Sequence, residues 1–148
     1  MTDEQRRQFL NRWILLIFPS YLRYIHQLER NSLWMDRFPA RAREITVQVL
    51  AEQTEYCQQL ADRLDDLDAE PELALFPEDA SRLNYLEMSV AVKRSIERIE
   101  YNLEQLGTDR QAVTSDPELA QTLAEGIEML QRHVTELAPH ASESSPSG

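Results

Sequence analysis

The stretch Arg12-Trp-Ile-Leu-Leu-Ile-Phe-Pro-Ser-Tyr-Leu22 is the most apolar run in an otherwise acidic, hydrophilic chain. Extended to Leu28, it sets Leu10, Ile14, Ile17, Tyr21, Tyr24 and Leu28 in steps of four and three, one stripe of an α-helix. Leu15, Phe18, Leu22 and Ile25 form a second stripe one position round, and Trp13 and Leu16 widen the coat. A helix apolar over so much of its circumference needs several helical neighbours, or another chain, to cover it. Pro19 removes one backbone donor and its ring clashes with the carbonyl of Leu15, so a kink is expected near residues 15–19. Both stripes keep phase across the proline. That favours one kinked helix over residues 3–29 rather than two helices broken at Phe18.

The rest of the chain supplies the neighbours. Thr2-Asp-Glu-Gln5 is a capping-box pattern that opens the first helix. Asp36, with Pro39 in a first turn, opens a second over residues 37–67. Its seam is Thr46, Leu50, Gln53, Cys57, Leu60, Leu64 and Leu67, in which Gln53 is a buried amide that fixes register and Cys57 a small hydrophobe. Residues 68–79 hold Pro71 and Pro77 and form the longest connection, with Leu73, Leu75 and Phe76 packed on the helices. A third helix over 78–106 follows Tyr85, Val92, Ile96, Ile99, Leu103 and Leu106, with Gly107 just past its cap. Ser115-Asp116-Pro117-Glu118 opens a fourth over 116–138, lined by Leu119, Leu123, Ile127, Leu130, Val134 and Leu137 and ended by Pro139. Residues 140–148 are Ser-rich and are expected to be a disordered tail.

The expected fold is therefore all-α, a four-helix bundle domain over residues 1–139 with a proline-kinked, highly apolar first helix. Extended at ~3.3 Å per residue, the middle connection has the reach for a long crossover. A packed loop in a simple up-down bundle is the easier expectation.

Composition bounds the function. With 148 residues and 3 glycines, the chain fits one helical domain. A net charge of −11 argues against a general nucleic-acid binder, whose phosphates it would repel. The charge is uneven: residues 1–50 carry eight arginines against five acids, and residues 51–148 carry seven Lys/Arg against twenty-one acids. A basic N-terminal half can meet an acidic partner or the acidic half of a second copy. The single cysteine, Cys57, excludes an internal disulfide and a Cys-based zinc site. The apolar run lacks a signal-peptide cleavage site and is far short of the ~20 residues that span a bilayer. A cytoplasmic protein without a cofactor or an integral membrane segment is the expectation.

Two places invite function. The helix lengths and the long middle connection resemble the ferritin-like layout, in which bundle glutamates hold two metal ions. Glu52, Glu55, Glu97, Glu125 and Glu128 are the carboxylates that such a site would draw on, but the family's Glu-x-x-His motif is absent and these acids fall off the seams. A partly exposed structural role is expected for His26 and His133. The other place is the first helix, where Trp13 and Leu16, with Phe18 and Leu22, form an apolar face without an assigned partner and mark an interface. A cavity at the kink that takes a hydrophobic ligand is a third possibility. The sequence favours a non-enzymatic protein that works by association with a protein partner or with itself.

Overall fold

The computed structural model describes residues 1–20, 22–23, 40–72 and 88–141, and of residues 88 and 89 the backbone only. Among them the chain is all-α. The elements are α1 (Asp3–Ile17), α2 (Ala40–Asp66), α3 (Met88–Ala112) and α4 (Pro117–Leu137), with a short 3-10 turn at Ala138–His140. None of these helices is long and apolar enough to cross a membrane.

The capping box opens α1, with the Gln5 N–H on the Thr2 hydroxyl at 3.2 Å and the Thr2 N–H on the Gln5 amide oxygen at 2.9 Å. Its last helical bond is Phe18 N–H to the Ile14 carbonyl at 2.9 Å. Pro19 has no N–H to give Leu15, the chain bends at residues 18 and 19, and helix resumes at Leu22 and Arg23. The continuous helix expected to residue 29 thus stops at Ile17. Residues 24–39, including Tyr24, His26, Leu28 and the expected start of the second helix, lie outside the described residues.

The break exposes carbonyls that need donors. Asn102 of α3 gives its amide N–H to the Leu16 carbonyl at 2.7 Å. Arg23 gives Nε–H to the Phe18 carbonyl at 2.8 Å, reaches the Thr54 hydroxyl with Nη1 at 2.8 Å, and lies 4.0 Å over the Phe18 ring. A cation is favoured at a helix C-terminus by the helix dipole.

Side-chain contacts give the direction of each helix. Arg7 donates to the Leu67 carbonyl and Arg23 to Thr54, so α1 and α2 are antiparallel. Trp13 meets Asp109 and Leu16 meets Asn102, so α3 also runs against α1. Arg63 pairs with Glu118 while Gln53 meets His133, so α4 runs against α2. The order is up, down, down, up, and α2 and α3 are parallel. The simple up-down arrangement does not apply, because α2 ends and α3 begins at opposite ends of the assembly. Past α2 the chain passes beside α1: the Glu72 N–H reaches the Asn11 side chain at 3.0 Å, one turn above the Arg7–Leu67 contact. Leu73, Leu75, Phe76, Tyr85 and the expected start of the third helix lie outside the described residues.

At the bottom of α2 the chain leaves through Asp68, whose φ of 58° is left-handed. Ala69 N–H returns to the Leu64 carbonyl and Asp68 N–H to Asp65, both at 2.9 Å, the Schellman pattern with an aspartate where glycine is favoured.

The core follows the helical seams. Leu50, Gln53, Cys57, Leu60 and Leu64 of α2 and Leu119, Leu123, Ile127, Leu130 and Leu137 of α4 are buried. Along α3 and the turn after it the buried line is Val92, Ser95, Ile99, Asn102, Leu106, Asp109 and Val113, whereas Ile96 and Leu103 are half-buried. The helix also runs through Gly107 to Ala112, past the expected cap at 106. Polar Ser95, Asn102 and Asp109 therefore recur every seven residues on the inward face. On α4, Asp116 caps the first turn by accepting from the Leu119 N–H at 3.2 Å, with Pro117 next to it. The expected disordered tail lies outside the described residues from 142 onward.

Candidate functional site

The polar groups brought inside this frame form two clusters. The first joins α1 to α3. The Trp13 indole N–H donates to Asp109 Oδ2 at 2.8 Å and Arg12 Nε–H donates to the same oxygen at 3.0 Å. Trp13 is fully buried and packs on Phe9 with the rings tilted at 37° and their centroids 5.9 Å apart. The outward face expected of Trp13 is corrected here: the indole turns inward because Asp109 offers its N–H an acceptor. Leu22 is buried as well, while Leu16 and Phe18 are half-buried at the top of α1.

The second cluster joins α2 to α4. His133, fully buried rather than partly exposed as expected, lies with Nδ1 3.2 Å from Gln53 Nε2 and Nε2 3.0 Å from Glu52 Oε1. This places the ring proton on Nε2, with Nδ1 accepting from the Gln53 amide. Arg132 grips both Glu52 oxygens, at 3.1 and 2.9 Å, and stands 3.6 Å from Glu136. Burial pushes His133 below the ordinary imidazole value, although Glu52 pulls the other way, so the ring is neutral near pH 7. Burial works to raise Glu52, but hydrogen bonds from His133 and Arg132 together hold its carboxyl below the usual range.

Glu52, His133 and Glu136 thus come together, whereas Glu55, Glu97, Glu125 and Glu128 are exposed and do not join them. Of the five carboxylates considered for a metal, only Glu52 lies in a cluster. Sequence reading gave His133 a structural role and passed over Glu136. The signal was His-x-x-Glu at i and i+3 on α4, the reverse of the order searched for.

Next to this cluster, the hydroxyl end of the Tyr56 ring fills the space beside Gly126. Its hydroxyl donates to the Thr122 carbonyl at 2.7 Å, and burial raises its phenol above the ordinary value. Cys57 is buried, and burial pushes its thiol up to about 12.

Charge separates by end. At the end where α1 begins, residues 1–8, 59–70 and 108–120 carry ten acids against four arginines. At the other end, Arg23, residues 40–51, 88–98 and 130–141 carry seven Lys/Arg against three acids. Both counts are of residues that the structure describes. Helix directions explain the pattern: the acidic C-terminal stretch of α2 and N-terminal stretch of α4 fall together, as do the basic starts of α2 and α3.

Comparison with known protein families, with curated proteins and with solved structures finds no match for this chain.

Proposed function

We propose that the chain is a non-enzymatic four-helix-bundle protein that works by association, and that its partner is a second copy docked basic end to acidic end. The observation that carries this reading is the separation of charge along the long axis. With a net charge of −11, copies repel in most orientations, and end-to-end contact is where opposite signs meet. Leu16 and Phe18, the two residues of the expected apolar face that keep exposed area, belong to the basic end and add apolar contact there. A non-enzymatic role is supported by the use made of the interior polar groups, which tie α1 to α3 and α2 to α4. An end-to-end interface is heterologous, so it continues into short chains unless the rotation closes a ring.

Sedimentation velocity across a range of concentrations and salt tests this. The average mass should rise with concentration at low ionic strength and return to the monomer at high salt, where exposed charges are screened. Arg41→Glu combined with Lys93→Glu, both at exposed positions of the basic end, should give a monomer with unchanged helicity. A wild-type chain that stays monomeric at low salt over the whole range overturns the proposal.

A further inference from the structure

Glu52, His133 and Glu136 each bring one ligand atom to within 4.8 Å of the other two. We propose that these three side chains form a mononuclear site for a divalent cation of zinc type, which binds by displacing Arg132. The donor set is one imidazole nitrogen and two carboxylates, which suits zinc, and three protein ligands leave a fourth tetrahedral position for water.

Several features of the cluster point the same way. His133 and Glu136 are three apart on α4 and so share a face, and Glu52 projects from α2 opposite them. Glu136 Oε1 is shut off from water and accepts no hydrogen bond. Arg132 Nη1 stands 3.6 Å from it, beyond hydrogen-bonding reach. Arg132 now supplies positive charge to both carboxylates, yet its side chain is half-exposed and can swing into water.

Ligation by Nε2 requires the ring proton to move to Nδ1. Gln53 then turns its amide half a revolution and offers Oε1 to the new Nδ1–H. The imidazole is neutral before and after, so no proton is released from it. Gln53 is in this sense a positioning residue that serves either tautomer, the part that outer hydrogen-bond partners take around metal-bound histidines.

Calorimetric titration of the full chain with zinc tests the proposal, with the visible spectrum of the cobalt-substituted protein as a second readout of ligand geometry. One saturable ion per chain is expected, with a tetrahedral cobalt spectrum. Glu136→Gln should weaken binding by about tenfold or more, and Arg132→Gln should strengthen it by removing the competing cation. Both positions reach the surface, and far-UV circular dichroism reports whether each variant keeps the fold. Absence of saturable one-to-one binding by the wild type overturns the proposal, as does a folded Glu136→Gln variant that binds as tightly as wild type. Weaker binding by Arg132→Gln refutes the displacement step.

Discussion

Gly126→Ala is expected to destabilise the protein, and Gly107→Ala to stabilise it. Both glycines are helical, so each replacement gains about 1 kcal/mol or less of helix propensity. At 107 a new methyl meets nothing within 4 Å, and that gain is the whole effect. At 126 the methyl runs into the Tyr56 hydroxyl and lies 2.6 Å from Cζ and 3.0 Å from Cε2. These are ring atoms of a buried side chain, so the ring itself must move. Forcing a methyl into a filled core costs ~1–3 kcal/mol. Pulling the phenol off the Thr122 carbonyl costs about 1 kcal/mol more. After subtraction of the helix gain, the net loss at 126 is about 2 kcal/mol. For a domain of this size that lowers the melting temperature by roughly 6 °C, whereas the change at 107 raises it by roughly 2 °C. Thermal and urea unfolding followed by circular dichroism read both. In a Tyr56→Ala background the cost at 126 should vanish, which a double-mutant cycle measures directly. If Gly126→Ala is as stable as Gly107→Ala, the packing of Tyr56 on α4 is not as described.

Other substitutions probe the remaining contacts. Trp13→Phe keeps most of the apolar contact but removes the only N–H that the ring offers Asp109, and should cost about 1–3 kcal/mol in urea unfolding. A cost below a few tenths would mean that the indole hydrogen bond is immaterial. Asp68→Gly relieves a left-handed aspartate in the C-terminal turn of α2 and should raise stability by up to about 1 kcal/mol; a loss would show that the aspartate side chain matters more than its backbone. The Asp116 carboxyl is held below its ordinary value mainly by the hydrogen bond from Arg6, despite opposing desolvation, so the unfolded state binds its proton first as pH falls. Its contribution is complete above the ordinary aspartate value and fades as pH drops through the lowered one. Asp116→Asn should therefore flatten the acid limb of the stability curve, and an unaltered limb would remove Asp116 from that role. Cys57 should resist iodoacetamide in the native protein at pH 8 and react once unfolded, because its buried thiol is pushed up to about 12. Rapid labelling of the folded chain would contradict its burial.

Local signals were legible in the sequence. Thr2 with Gln5, and Asp116 with Pro117, announced helix starts through chemistry contained in three or four residues. The seams of α2 and α4 were legible because their inward positions are nearly all apolar. In α3, Ile96 and Leu103 drew the seam one residue off, since hydrophobic spacing gives no weight to Ser95, Asn102 and Asp109. These polar residues turn inward because groups on the backbone or on α1 bind them: Ser95 on the Ala91 carbonyl, the Asn102 amide N–H on Leu16, and Asp109 on Trp13 and Arg12, although Asn102 Oδ1 stays without a partner. The end of α1 was missed for a related reason. Stripe phase says nothing about which distant donor will take a freed carbonyl, and here the donors are Arg23 and Asn102. Helix directions were equally hidden, because the middle connection has the length for either topology. Of the Glu52–His133–Glu136 cluster, Glu52 alone was considered as a ligand, since the other two meet it only once α2 and α4 are laid antiparallel.

The Trp13–Asp109 contact spans 96 positions of sequence, and this has a consequence for how the protein is made. At about 5–20 residues per second, several seconds pass between the appearance of the indole and that of the carboxylate it binds. Until then the nascent chain holds α1, α2 and an unfinished α3, with the Trp13 indole lacking its acceptor and the inner helix faces not yet covered by α4. The hairpin made last closes the molecule that was begun first. Ribosome-bound chains stalled before residue 109 should accordingly recruit holding chaperones, and chains that have released α4 should let them go.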